Sequence, residues 1–372
     1  MADRRAVQVL VIEQPHVARL VDEEEPAPAD GQFRVETLYS GLSAGTELTW
    51  FKGTNPYLHA AWDPRLGVFR RDRQAAGFPV RAPGYMEVGR VSETGTDAVA
   101  LGDLVAMAYG HKTAHTVDPL NDRFVPLPPE LDPMLGVYVA HMGPICANGL
   151  LHAAAEVAGP GALRLGDGVR GRQVLVTGAG VIGLLVALFA RHHGAAEVLV
   201  ADATPQRLEA ARALGLETVD DAEATAWRVV KERWRRDPTD CGADVVFQCR
   251  GRTAALAAAL RSLRPQGTVI DLAFYQGGAP DLALGEEFHH NGLTIRCAQI
   301  GRVPRELTHL WDRRRLAAET VELLRADGPA IREHLVTDLV PLADAPALLA
   351  DVAARRRHVI QAVFACPAAD RG

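Results

Sequence analysis

The sequence predicts an α/β protein of two domains: a β-rich first part and, from about residue 172, a doubly wound parallel sheet. Three observations carry this. Up to about residue 140, strand-like runs such as "RVETLYS", "EVGRVSETG", "DLVAMAYG" and "RFVPLP" are separated by turns rich in Gly, Pro and Asp. After residue 172, apolar strands alternate with helical patterns. At the junction of the first such strand and helix stands "VTGAGVIG", a G-x-G-x-x-G register.

Taken in order, "MADRRAVQVLVIEQP" reads as a first strand, because Glu13 and Pro15 break its apolar run well before the length of a signal peptide. "SGLSAGTE" (40–47) follows a strand and combines glycines with small hydroxyls, which suits either a tight turn or an active-site loop whose reactive residue has been replaced. "RQVLVTG" is a strand, the apolar segment to His193 a helix, and "EVLVAD" the next strand. Thr204-Pro205 supplies a helix start with proline at its first position. "ADVVFQC", a helix over "TAALAAALRSL", "GTVIDLAF" and "LTIRCAQ" continue the series.

Composition narrows the function. A chain of 372 residues with 48% hydrophobic and 23% charged residues can bury two cores, which excludes a disordered or collagen-like protein. A net charge of -6 provides no basic field for a phosphate backbone, and the arginine runs "RRDR" and "DRRR" are short solvated faces, so no nucleic-acid partner is expected. The longest uncharged apolar stretch, Val174 to Ala190, is interrupted by the glycine turn and is too short for a bilayer. No membrane partner and a cytoplasmic location are the expectation. The five cysteines lie far apart, without a CxxC pair or zinc-finger spacing, and most of them read as small buried residues of a reducing compartment.

The glycine register has a mechanical reading. Gly178 permits the tight turn, Gly180 lets backbone approach a pyrophosphate, and Gly183 lets helix and strand pack closely. The amides around Val181 and Ile182 open the helix and point at the anion. Asp202 ends the next strand, where a carboxylate accepts hydrogen bonds from the adenosine ribose and repels a 2′-phosphate. NAD is therefore expected over NADP, with Arg207 nearby as a further cofactor contact.

This arrangement resembles the medium-chain dehydrogenase/reductase superfamily, typified by the zinc alcohol dehydrogenases, over nearly the whole chain. The supporting stretches are "SGLSAGTELTWFKG", "PGYMEVGRV", "LGDLVAM", "VLVTGAGVIGLLVALFARHHGAAEVLVAD", "DVVFQC" and "GTVIDLAF". The resemblance implies a GroES-like β-barrel catalytic domain over residues 1–145, completed by 303–372, and a Rossmann NAD-binding domain over 146–302. It also implies a homodimer and a nicotinamide bound in the cleft between the domains.

Laid on the family's ligand motifs, Ala44 takes the place of the first zinc-binding cysteine, Tyr85 that of the histidine, Met86 that of the following glutamate, and Pro144 approximately that of the third ligand. The four-cysteine structural loop is replaced by "AYGHKTAHTVDP". No metal is expected on this reading. Tyr85 is the candidate proton carrier, Thr46 matches the family's relay hydroxyl, and Glu47 is expected to hydrogen-bond and tune Tyr85. Asn148 falls where the family's backbone nears the carboxamide of the nicotinamide. Cys249, Ala273 and Phe274 end strands on the ligand-binding edge. His111, His141, Tyr275 and Gln299 are candidate substrate contacts. The implied activity is NAD-dependent, zinc-independent hydride transfer between nicotinamide and a small polar alcohol or ketone, such as a sugar, cyclitol or natural-product intermediate. The alternatives are an NADPH quinone or enoyl reductase and a redox-inactive NAD-binding protein.

Overall fold

The computed structural model describes residues 4–223 and 225–369, which fall into two compact units, Met1–His141 with Val336–Gly372, and Met142–Leu335. Among the described residues no helix is long and apolar enough to cross a membrane.

The first unit opens with β1 (Arg4–Gln14), β2 (Val17–Pro26) and β3 (Phe33–Gly41), followed by α1 (Ala44–Phe51). A hairpin of β4 (Ala61–Asp63) and β5 (Val68–Arg70) comes next, then β6 (Val80–Arg81), β7 (Glu87–Thr94), β8 (Leu104–Met107), β9 (Ala114–Val117) and β10 (Val125–Pro126). β1 is apolar on both faces because it separates two clusters. Val7, Val9 and Val11 enter one, while Leu10 and Ile12 enter the other with Leu42 and Phe51. "SGLSAGTE" is neither a turn nor a loop: Ser40 and Gly41 finish β3, and Ala44 to Glu47 are the first turn of α1.

The second unit contains α2 (Met142–Ala158), β11 (Gln173–Thr177), α3 (Val181–His192), β12 (Glu197–Asp202), α4 (Pro205–Ala213), β13 (Glu217–Asp220), α5 (Ala226–Arg233), β14 (Ala243–Gln248), α6 (Thr253–Ser262), β15 (Leu263–Asp271), α7 (Glu287–His290), β16 (Thr294–Cys297) and α8 (Arg313–His334). Its six strands lie in the order β13-β12-β11-β14-β15-β16, every neighbouring pair parallel. Chain order reverses between β11 and β14, so the carboxyl ends of these two strands flank the ligand crevice of such a sheet.

β17 (Val336–Pro341), α9 (Ala345–Ala353) and β18 (Gln361–Ala365) return the chain to the first unit. There β18 pairs antiparallel with β3, Phe364 opposite Ser40, in the sheet order β10-β8-β7-β3-β18-β17. The return begins at Val336, whereas the sequence reading assigned everything from residue 303 to the first domain. Helix α8 stays with the second unit because it packs closely on α2: a Cβ at Gly143 would come within 2.1 Å of Thr320 Cγ2.

Candidate active site

In the first unit, the start of α1 gathers hydroxyls around one phenol. Ser43 occupies the N-cap position but its side chain makes no capping bond. Its hydroxyl instead makes a short hydrogen bond with the Tyr85 hydroxyl, which also lies 3.3 Å from Thr46 Oγ1. The helix start is held another way: the Ser43 amide donates to Glu47 Oε1 at 2.6 Å, and the Glu47 amide donates to the Ser43 carbonyl at 2.8 Å. The ring of Tyr85 rests against His141, centroids 4.5 Å apart and tilted by 53°. Three of the residues singled out from the sequence, Tyr85, Thr46 and His141, are thus brought together, with Ser43 added.

Glu47 does not reach Tyr85, contrary to the sequence expectation. Its second oxygen lies 2.5 Å from His111 Nε2, and with Glu47 only 1% and His111 0% exposed, neither can face substrate in this unit. On the other side of the ring, His111 Nδ1 is 2.7 Å from Ser40 Oγ, which is 2.9 Å from Glu87 Oε1. Glu87 Oε2 accepts from the Tyr109 amide at 2.8 Å.

A serine hydroxyl carries one proton, so the chain admits two arrangements. Either Ser40 donates to a Glu87 carboxylate and accepts from an imidazolium, or a protonated Glu87 donates to Ser40, which donates to neutral His111. Burial opposes charge on His111, but the Glu47 carboxylate and then Glu87 outweigh it and raise its pKa. Burial likewise raises the pKa of Glu87 above the ordinary carboxylate value. Gly84 explains how this network seats Tyr85. With φ +111°, it brings bare backbone against the His111 ring, and a Cβ there would come within 2.9 Å of Cε1.

In the second unit, the glycine turn has the geometry that its spacing requires. Gly178 sits at φ +102° and donates to the Ala201 carbonyl at 2.7 Å. Gly180 is the N-cap residue of α3, ahead of Val181 and Ile182, and a Cβ at Gly183 would lie 1.7 Å from the Gly178 carbonyl oxygen. Asp202 accepts the Ala179 amide on one oxygen and the Thr204 amide on the other, both at 2.8 Å. Burial works against its ionisation, but these amides and the Arg207 guanidinium hold its pKa below the usual carboxylate range. Arg207 Nη1 is 3.9 Å from that carboxylate, and its Nε is buried with no partner among the described residues. An open helix N-terminus, a carboxylate at the strand end and an unsatisfied guanidinium donor fit the pyrophosphate and adenosine ribose of a dinucleotide. When bound, the nicotinamide of that dinucleotide would accept or donate a hydride.

The remaining candidates divide. Cys249 donates its amide to the Thr177 carbonyl at 2.9 Å, placing it beside the switch point, though burial pushes its thiol pKa well up. Ala273 donates to Asp271 Oδ1, and Phe274 is 40% exposed at the end of β15. The Tyr275 hydroxyl is engaged with Asp271 Oδ2 at 3.0 Å and Gln248 Nε2 at 2.9 Å, which ties it to the sheet end. Asn148 is fully buried in α2, and its amide nitrogen lies 3.2–3.4 Å from the carbonyls of Ala298, Gln299 and Arg302. Its side chain fastens the segment after β16, while the exposed Gln299 side chain accepts the Gly301 amide.

Reasoning from the sequence passed over Ser40, Ser43 and Glu87. All three lie inside the quoted "SGLSAGTE" and "PGYMEVG" stretches, but nothing local marks a serine as the partner of a residue forty positions away. For the metal of the resembled family, the donor chemistry does not fit: a methyl group at Ala44, a phenol at Tyr85, a buried thioether at Met86 and a pyrrolidine at Pro144 offer neither thiolate nor imidazole. Among the described residues no group of three His, Cys, Asp or Glu side chains is arranged to hold a metal ion.

Comparison with known proteins agrees with this geometry. Residues 181–314 match the sequence model of the family described as zinc-binding dehydrogenase. The D-guloside 3-dehydrogenase of Escherichia coli K12 is 27% identical over 353 residues, covering 91% of this chain and 93% of that protein. Galactitol-1-phosphate dehydrogenase from Escherichia coli superposes with a TM-score of 0.74 at 16% identity, over 96% of this chain and 99% of the other. For 2R,3R-butanediol dehydrogenase from Bacillus subtilis the TM-score is 0.70 at 18% identity, over 96% and 99%. The glycine register and the strand order agree with these likenesses: residues 181–314 are similar to zinc-binding dehydrogenases, and the whole chain shares the fold of the dehydrogenases just compared.

Proposed function

We propose that this protein is an NAD-preferring dehydrogenase that moves a hydride between nicotinamide and a secondary alcohol or ketone of a polar, polyhydroxylated substrate, without a catalytic zinc. The observation that carries the reading is the Tyr85 hydroxyl held between Ser43 and Thr46 at the start of α1. In the oxidative direction the substrate O–H bond breaks and its proton passes to Tyr85 oxygen. The phenol's own proton moves to the Ser43 or Thr46 oxygen as that hydroxyl releases its own proton to solvent, so each hydroxyl relays a proton and keeps none. The C–H bond pair leaves as hydride, and the substrate carbon becomes a carbonyl. Reduction runs the same path backwards. A positioned acid–base group of this kind contributes about 10²–10⁴-fold, which takes over part of the task of a Lewis-acid metal. The likeness to D-guloside 3-dehydrogenase supports a sugar or glycoside as substrate.

Two expected results test this. NADH should bind more tightly than NADPH in fluorescence titrations of the purified protein, because Asp202 would repel a 2′-phosphate. Arg207 beside Asp202 is the feature that could serve that phosphate instead. Equal or tighter NADPH binding would overturn the cofactor preference and favour a quinone or enoyl reductase. Elemental analysis of active protein should find zinc well below one per chain, and a chelator should leave turnover unchanged. Stoichiometric zinc whose removal abolishes activity would refute the metal-free reading.

A further inference from the structure

The β4–β5 hairpin and Tyr57 just before it carry a cluster of exposed apolar side chains among the described residues. Tyr57 is 40%, Trp62 41%, Phe69 46% and Leu66 66% exposed. Soluble proteins rarely leave large aromatic side chains clustered in water without a binding purpose. These rings form an ordered row. Trp50 stacks on Tyr57 with centroids 6.2 Å apart and planes 25° apart, Tyr57 meets Phe69 at 5.2 Å, and Phe69 meets its cross-strand partner Trp62 at 5.1 Å. The edge-on contacts fix each ring through the next.

The row starts on α1, the helix whose first turn carries Thr46. Trp50 is four residues after Thr46 on α1, so the two side chains are neighbours on one helix face, about 5–6 Å apart at Cβ. The segment leading to the hairpin is bound to the same helix: the amides of Thr54 and Asn55 donate to the Thr49 carbonyl, and Asn55 Nδ2 donates to Thr49 Oγ1 at 2.7 Å. Charged groups border the rings. Asp63 accepts the amides of Arg65 and Leu66, which shapes the hairpin turn, and lies 3.7 Å from Arg70 and 3.5 Å from Arg73. Flat apolar faces edged with hydrogen-bonding ions suit a ring that is apolar on its face and polar at its rim.

We propose that Trp50, Tyr57, Phe69 and Trp62 form an extended substrate subsite that holds the aglycone ring of a glycoside, remote from the oxidised carbon. This rests on the reading of the protein as a dehydrogenase of polyhydroxylated substrates. It adds that the preferred substrate is longer than one sugar ring.

The test compares methyl D-guloside with phenyl D-guloside on the full-length protein and on its Trp62→Ala and Phe69→Ala variants, whose exposed side chains contribute little to folding. Each variant should lower the phenyl-to-methyl ratio of kcat/KM by tenfold or more, chiefly through KM for the phenyl glycoside. A ratio equal to that of the unaltered protein would overturn the subsite. Ligand-detected NMR of phenyl D-guloside on NADH-loaded protein separates the two readings. Binding that is lost with Trp62→Ala, but without turnover, keeps the subsite and sinks the oxidation. Turnover with an unchanged ratio does the reverse. Conversion of a dimer to a monomer by Trp62→Ala with the ratio unchanged would make the hairpin a self-association surface, and the proposal would fall.

Discussion

Tyr85→Phe should lower kcat by about 10²-fold or more while leaving NADH binding intact. The substitution removes one oxygen and keeps the ring, so packing against His141 at 4.5 Å survives and the fold should not change. What disappears is the atom that joins Ser43 and Thr46 and that, in the proposed mechanism, meets the substrate hydroxyl. Thr46→Val should cost less, because Ser43 still receives the proton. Steady-state rates and NADH titrations of both variants decide the matter. A fully active Tyr85→Phe enzyme would remove the phenol from the mechanism and leave His141, its ring neighbour, as the next residue to test.

His111→Leu should cost stability, by about 3–5 kcal/mol, the usual size for removing one member of a buried charged set. Glu47 and Glu87 would be left facing an apolar side chain, with the Glu47 oxygen that His111 engages at 2.5 Å no longer partnered by it. The pH dependence has a definite sign. His111 and Glu87 both have raised pKa values in the folded protein, so the native state holds protons more tightly than the unfolded chain. Stability then falls as pH rises. For His111 the contribution is complete below its ordinary value of about 6.5 and is lost as pH passes through the higher folded value. Urea midpoints of the two proteins should therefore differ most below about pH 6.5 and draw together as pH rises above it. A gap of constant size across that range would show that the imidazole acts only by filling space.

The same variant bears on activity. The Glu47 carboxylate that binds His111 also anchors the Ser43 amide, and the His111 ring lies against Gly84, directly before Tyr85. His111→Leu should therefore lower kcat as well, with recovery in His111→Gln if an amide can still bridge Glu47 and Ser40. Loss without any such rescue, together with an unaltered pH profile, would assign His111 a packing role alone.

How much of this was legible before folding depends on how local each determinant is. The cofactor turn was readable because its requirements fall within six consecutive residues: Gly178 needs a positive φ, and Gly183 needs the absence of a side chain that would sit 1.7 Å from a carbonyl. The doubly wound sheet was readable because each strand and helix carries its own apolar period, and Asp202 lies at a strand end whose place follows from that period. Tyr85 and Thr46 were singled out through motifs that keep their spacing.

Tertiary structure decided where the polar side chains point. Whether Glu47 meets Tyr85 or His111 depends on β3, β7 and the segment before β9 lying side by side, a long-range pairing that leaves no local trace. Asn148 was singled out as a cofactor contact, and the fold turns its amide nitrogen to carbonyls some 150 positions away, while its buried Oδ1 has no partner among the described residues. Helix α8 was placed in the first unit by its position in the chain, but its packing on α2 keeps it in the second. Backbone conformation and apolar periodicity are short-range properties that the sequence by itself determined. The partner of a buried charge is set by which distant groups are desolvated beside it, and only the folded chain brings those groups together.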